Sequence, residues 1–224
     1  MNSLQHLIEA ETKAAALFEA VQQRQLIQAG KTEKELNTEI FELAFELFGI
    51  RQYWHKRIVR AGRNTLLPYA ANPENLMLEA DDILFFDFGP VFEQWEADFG
   101  RTYVIGSDTR KLKLASDVAL AWQQGKVFYE EHKKTLTGAA FYEYTKELAV
   151  HYGWHYGNIH CGHLVGNFPH ETIVGDEEIH YIHPDNHTLM SAPDQHGKAR
   201  HWIYEIHFID EEAGIGGFFE QLLV

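Results

Sequence analysis

Residues 3–29 carry Leu4, Leu7, Ala14, Phe18 and Val21 at helical spacing, which predicts an amphipathic helix ended by Gly30. Thr32 with Glu35 makes a capping-box pair for a second helix. Leu36, Ile40, Leu43 and Leu47 supply its buried stripe, and Gly49 closes it. From Arg57 the rhythm changes. RIVRAG reads as a short strand ending at Gly62, and the Pro- and Asn-rich NTLLPYAANPENL reads as loop. DILFFDFG and QWEADFGRTYVIG read as two strands, a hairpin or a neighbouring pair.

The helical period returns over 108–132, with Leu112, Ala115, Ala119 and Trp122 as its stripe. Thr137 caps a further helix that turns Phe141, Tyr144 and Leu148 inward. Beyond Gly153 come GNIHCGHLVG, a histidine-rich loop region, and the strands HWIYEIHFID and GGFFEQLLV. The order helix, helix, strands, helix, helix, strands predicts an α+β fold with two similar halves in one domain over 1–224, residues 1–50 being its helical N-terminal part. No repeat, low-complexity tract or linker interrupts it.

Composition narrows the class. Of 224 residues, 45% are hydrophobic and 23% charged, enough for a sizeable core and ordinary for a soluble protein. A formal net charge of -14 argues against nucleic-acid and anionic-membrane partners and suits a site built from carboxylates. A single cysteine, Cys161, excludes an intrachain disulfide and reads as a small buried residue. The N-terminus has acids where a signal peptide wants bases, and no apolar run approaches the ~18 residues of a membrane span. A cytoplasmic protein is expected.

The candidate chemistry lies in acids placed among apolar neighbours. Asp87 interrupts ILFFDFG, Asp98 follows in the next strand, Glu205 sits in WIYEIHF and Glu220 in GGFFEQLLV. A carboxylate in such a strand is costly unless a cation or donor meets it, and close carboxylates repel unless one protonates or a metal binds. His163 stands between Gly162 and Gly166, where backbone can approach a site closely. Four carboxylates and one imidazole without a thiolate suit manganese, cobalt or iron(II) better than structural zinc. Such a set can bridge two ions ~3.5–4 Å apart, as two-metal hydrolases do. The histidines at 180, 183, 187, 196 and 201 show no zinc-type spacing and read as a polar loop around the HPDN turn.

These segments resemble those of the pita-bread metallopeptidases, the family of methionine aminopeptidase, aminopeptidase P, prolidase and creatinase. The likeness runs from RIVRAGRNT to the end. DFGPVFEQWEADFGRTYVIG is similar to the segment with two aspartate ligands, followed by Arg101-Thr102; GHLVGNFPHE to the histidine segment; WIYEIHF and FFEQLLV to the glutamate strands. The resemblance implies a pita-bread fold, two pseudo-symmetric halves of antiparallel strands backed by helices. It implies Asp87, Asp98, His163, Glu205 and Glu220 as ligands of two divalent ions, manganese first and cobalt or iron as alternatives. It also implies that Glu205 is the general base on a water shared by the ions, and that His170 contacts the scissile peptide and stabilises its oxyanion.

The sequence departs from the family in three places. Pro68 and Tyr69 stand where aminopeptidase P has histidine and tyrosine. His55 lies upstream in YWHKRIV, a strand-like context, and with Tyr69 and His170 it is a candidate substrate-binding residue. Glu205-Ile206-His207 replaces the usual glutamate-proline-glycine run. No room is left for a separate N-terminal domain, so a substrate gate from one is absent or comes from another subunit, and a homodimer is admitted. The implied activity is a metal-dependent exopeptidase acting on the N-terminal bond of peptides, with RIVRAG and LPYA favouring Xaa-Pro selectivity. The alternatives are a non-catalytic pita-bread module that binds peptides or proteins, and a creatinase-like, metal-free hydrolase of a C–N bond.

Overall fold

A computed structural model of the chain describes residues 2–169 and 178–224. Asn2 caps α1 (Ser3–Gln23), accepting from Gln5 N. The helix stops short of Gly30 because Gln25 adopts a positive φ of 53° and turns the chain away. Helix α2 (Glu33–Phe48) starts on the expected Thr32–Glu35 box and ends on Gly49 in the left-handed region. Leu36, Ile40, Leu43 and Ala44 are buried, whereas Leu47 is exposed on the last turn.

Strand β1 (Ile58–Ala61) leads into a 3-10 turn at Gly62–Leu66 and on to β2 (Ile83–Phe88). The expected single strand over 94–106 is divided. β3 (Val91–Phe92) pairs with β4 (Trp95–Glu96), and β5 begins only at Phe99 and runs to Val104. The break has a local cause: Ala97 N donates back to Pro90 O at 2.9 Å, pulling the chain out of the extended path just before Asp98.

Asp108 caps α3 (Thr109–His132) and Thr137 caps α4 (Gly138–Tyr152). The buried face of α3 is Leu114, Val118, Ala121 and Trp122, and Leu112 is exposed. Its phase is set by Gly217, whose bare backbone lets Leu114 and Val118 close onto the sheet. Strands β6 (His155–Tyr156), β7 (Gly162–Leu164), β8 (Trp202–Asp210) and β9 (Ile215–Leu222) complete the chain.

The main sheet has seven strands in the order β1-β2-β5-β9-β8-β6, with β7 also on β8, and every pairing is antiparallel. Strand alternation sorts its two faces. Leu84, Phe86 and Phe88 join the core of α1 and α2, while Trp202, Tyr204, Ile206, Phe208 and Phe219 join that of α3 and α4. Thus each half brings two helices and a set of strands, with its own apolar cluster. The intervening positions, Phe85 and Asp87, Glu205 and His207, Phe218 and Glu220, line a cavity on the other face. Cys161 is fully buried, as expected. Among the described residues no helix is long and apolar enough to cross a membrane.

Candidate metal centre

Strand register brings the acids together. Asp87 of β2 pairs with Gly100 of β5, Gly100 pairs with Glu220 of β9, and Glu220 pairs with Glu205 of β8. A single row across four strands therefore carries three of the carboxylates, with a glycine where β5 crosses. Asp98 enters from the bend before β5, outside a strand. His163 comes from β7, which pairs with β8 through His163 and Ile203.

Arg101 and Thr102 fasten this row. Thr102 Oγ1 donates to Phe218 O at 2.8 Å and accepts from Phe218 N at 2.6 Å. Arg101 donates to Glu220 O at 2.8 Å and to the Gln221 side chain, with its guanidinium over the rings of Phe99 and Phe219. Between β5 and β9 the register has only the Gly100–Glu220 pair, so these side chains fix the height of Glu220.

The carboxylates of Asp87, Asp98, Glu205 and Glu220 are all buried, and they line one cavity of about 190 Å³ with His163 and His55. His163 Nε2 lies 3.0 Å from Asp98 Oδ2 and 3.8 Å from Glu220 Oε1. His55 Nε2 lies 3.1 Å from Asp98 Oδ1 and 3.5 Å from Asp87 Oδ1. Glu205 accepts from Asn158 Nδ2 at 3.2 Å, and His160 Nδ1 stands 3.0 Å from its other oxygen, out of line for a hydrogen bond.

Electrostatics record the crowding. Burial, opposed by His55 and reinforced by Asp98, pushes Asp87 up to about 7. Burial and the charges of Asp98 and Asp87 push Glu220 well above the carboxylate range. Burial would raise Asp98 too, but the imidazoles of His55 and His163 outweigh it and hold Asp98 low. Burial disfavours protonated His55, yet Asp98 and Asp87 lift it to about 9.

A cation fits the residues present. Glu220 Oε2 is buried with no hydrogen-bond partner among the described residues, a cost that a bound cation removes. Two groups have donor atoms within 4.8 Å of one another: His55 with Asp87 and Asp98, and Asp98 with His163 and Glu220. Carboxylate and imidazole donors without thiolate suit hard to borderline divalent ions.

Of the residues singled out in the sequence, Asp87, Asp98, His163, Glu205, Glu220, His55 and Tyr69 all line this cavity. His170 lies outside the described residues. His55 departs from its expected strand position: it sits in a bend ahead of β1, with its ring among the carboxylates rather than on the outer wall. Tyr69 is at the rim, with its ring beside His55 and its hydroxyl accepting from Lys56 N at 3.3 Å. Sequence patterns missed Trp54, Asn158 and Tyr181, which also line the cavity. His160 had a signal in GNIHCGH, three residues ahead of His163 on the same approach. Among the described residues, none of His180, His183, His187, His196 and His201 joins a metal-ligating group, and the HPDN segment is a turn closed by Asn186 N on His183 O at 3.0 Å.

Comparison with known proteins agrees with this architecture. Residues 5–205 match the sequence model of metallopeptidase family M24. Over 146 residues the chain is 27% identical to the Xaa-Pro dipeptidases of Pyrococcus horikoshii and Pyrococcus furiosus, covering 65% of this chain but only 40% and 41% of theirs. The solved X-Pro aminopeptidase from Thermotoga maritima superposes with a TM-score of 0.73 at 22% identity, over 97% of this chain and 56% of that one. The prolidase from P. horikoshii does so with a TM-score of 0.73 at 18% identity, over 98% and 58%. The fold is the pita-bread fold, in a chain that spans less than two thirds of these relatives. A family match over so much of the sequence settles its membership: this chain belongs to metallopeptidase family M24.

Proposed function

We propose that this chain is a metal-dependent exopeptidase that hydrolyses the N-terminal bond of peptides, with a preference for Xaa-Pro bonds. The observation that carries the proposal is the burial of Asp87, Asp98, Glu205 and Glu220 around one cavity with imidazoles between them. A binding surface gains nothing from four buried acids, whereas a hydrolytic metal centre requires them. Two divalent ions, manganese first among them, would be held by Asp87, Asp98, His163, Glu205 and Glu220. When bound, they would polarise the scissile carbonyl and make a water acidic enough to attack near neutral pH.

The remaining chemistry belongs to the chain. Glu205 would take the proton from that water, with Asn158 Nδ2 donating to one of its oxygens and the His160 ring standing beside the other. Ile58, Leu67, Phe85 and Phe218 form an apolar wall against which a proline ring can lie, excluding water from the bond being cut. Tyr69 meets the peptide at the rim, and His170 is assigned the scissile peptide by likeness to the family. The Xaa-Pro dipeptidases that the chain resembles support this substrate class, and an ordinary soluble-protein composition with a single cysteine favours the cytoplasm.

Digestion of a peptide library with added manganese, followed by mass spectrometry, tests the proposal. Loss of single N-terminal residues, greatest ahead of proline, is expected. Asp98→Asn should cut the rate by at least about 100-fold, since it removes a direct ligand. Hydrolysis that survives chelation would point instead to the metal-free, creatinase-like reaction. Absence of cleavage despite full metal loading would point to a peptide-binding module.

A further inference from the structure

Two imidazoles, not one, reach Asp98, and both are oriented by the same device. His163 Nδ1 lies 2.8 Å from Leu164 O, the carbonyl of the next residue. His55 Nδ1 lies 2.7 Å from Lys56 O, again the carbonyl of the next residue. A carbonyl only accepts, so in each ring the Nδ1 atom carries the proton and, in the neutral form, Nε2 presents a lone pair. That is how metal-bound histidines are commonly braced.

The two Nε2 atoms meet different oxygens of one carboxylate. His55 faces Asp98 Oδ1 at 3.1 Å and His163 faces Asp98 Oδ2 at 3.0 Å. Each ring also faces a second acid, Asp87 at 3.5 Å for His55 and Glu220 at 3.8 Å for His163. Donors bound ~2.0–2.2 Å from one ion stand roughly 3 to 3.5 Å apart. Asp98 is thus the shared member of two like trios, each made of one imidazole and two carboxylates.

The placement of His55 is built in. Trp54 N donates to Gly89 O at 2.9 Å and Trp54 Nε1 to Ala97 O at 2.9 Å, while Val91 N donates to Gln52 O at 3.0 Å. The chain at 52–54 is therefore stitched along the segment that joins Asp87 to Asp98. A Cβ on Gly89 would lie 2.2 Å from His55 Cδ2, so the ring reaches the acids only because residue 89 has no side chain. The His55 side chain is less exposed than that of His163, 7% against 12%.

We propose that His55 is itself a metal ligand, completing a coordination shell with Asp87 and Asp98 as His163 completes one with Asp98 and Glu220. The proposal rests on the dinuclear site described under Proposed function and replaces the expectation that His55 contacts substrate. An imidazole on an ion otherwise held by carboxylates moves its preference from manganese toward cobalt and zinc.

Calorimetric titration of the chelator-stripped wild type and of His55→Gln with manganese and with cobalt tests this. Wild type is expected to bind two ions. His55→Gln should keep one at wild-type affinity and lose about 100-fold or more on the other, with the larger loss for cobalt. Proton NMR of the dicobalt wild type supplies a count that needs no folded variant. Two solvent-exchangeable, strongly shifted imidazole N–H signals are expected, one from each ligated ring. A single such signal, or two ions bound by His55→Gln at unchanged affinity, would overturn the assignment of His55 alone. Fewer than two ions on the wild type would overturn the dinuclear site with it.

Discussion

Glu205 and Glu220 face each other directly across β8 and β9, and both are buried. Opposed residues of an antiparallel pair have Cβ atoms about 4.5–5.5 Å apart, where like charges destabilise the sheet. In the metal-free fold, burial and the neighbouring acids raise the proton affinity of Glu220, a cost relative to the unfolded chain that cations relieve. Glu220→Gln has no such proton to hold. Its melting temperature in excess chelator should rise above that of wild type by about 2–4 °C per kcal/mol gained, while its metal affinity falls. A Glu220→Gln protein that melts lower than wild type without metal would show that the Glu220 carboxyl gains more from contacts within the chain than its burial costs.

Metal removal follows the same logic on a larger scale. A ligand that binds only the folded state stabilises it by about 4 kcal/mol at a thousand times its dissociation constant. Saturating manganese should thus raise the melting point of the chelator-stripped protein by roughly 10 °C. Scanning fluorimetry with and without chelator reads this. The same addition to Asp98→Asn should produce little shift, because the two donor trios share that residue.

Gly100 gives a test that changes no donor. It lies between Asp87 and Glu220 in the sheet register, and a Cβ there would stand 2.5 Å from Phe218 Cε1 and 2.9 Å from Glu220 Cβ. Gly100→Ala must push β9 away from β5 and carry Glu220 with it. A loss of about 10- to 100-fold in metal affinity is expected, similar to that from disturbing groups that orient ligands. Circular dichroism should show the fold retained, and calorimetric titration measures the affinity. Unchanged affinity would mean that Glu220 is not held by this crossing.

The strand acids were legible because burial makes an unpaired carboxylate anomalous in an apolar strand, and Asp87, Glu205 and Glu220 each broke such a run. The helices were legible where caps punctuate them, at Thr32, Gly49 and Thr137. The face of α3 was misjudged because Ala115 and Ala119 fit either side of a helix, and the choice is made by contact with Gly217. His55 was placed on a strand because Ile58 and Val59 follow it, and nothing local says that 52–54 binds to 89–97 instead. Asn158, Tyr181 and Trp54 belong to the cavity through tertiary contact, which a polar or aromatic residue in a loop does not announce.

Glu11 provides a pH test outside the ligand set. It lies on α1, 8% exposed, and accepts from Leu222 N at 2.6 Å, which ties the helix to the end of β9. Burial raises its pKa to about 8, against the opposing pull of the Leu222 N–H and Arg101. In the unfolded chain a glutamate titrates near 4.3. Between those values the folded state holds a proton that the unfolded state has lost, so this residue lowers stability progressively as pH rises from about 4 to about 8, with no further slope above. Glu11→Gln keeps an acceptor for Leu222 N and cannot ionise. In excess chelator, the fall in melting temperature from pH 5 to pH 8.5 should be smaller in Glu11→Gln than in wild type by at least about 2–4 °C. The ligand acids titrate in both proteins, so the difference between the two profiles isolates Glu11. Identical profiles would show that Glu11 ionises as freely in the fold as in the unfolded chain, and that α1 is not docked on Leu222 through a protonated carboxyl.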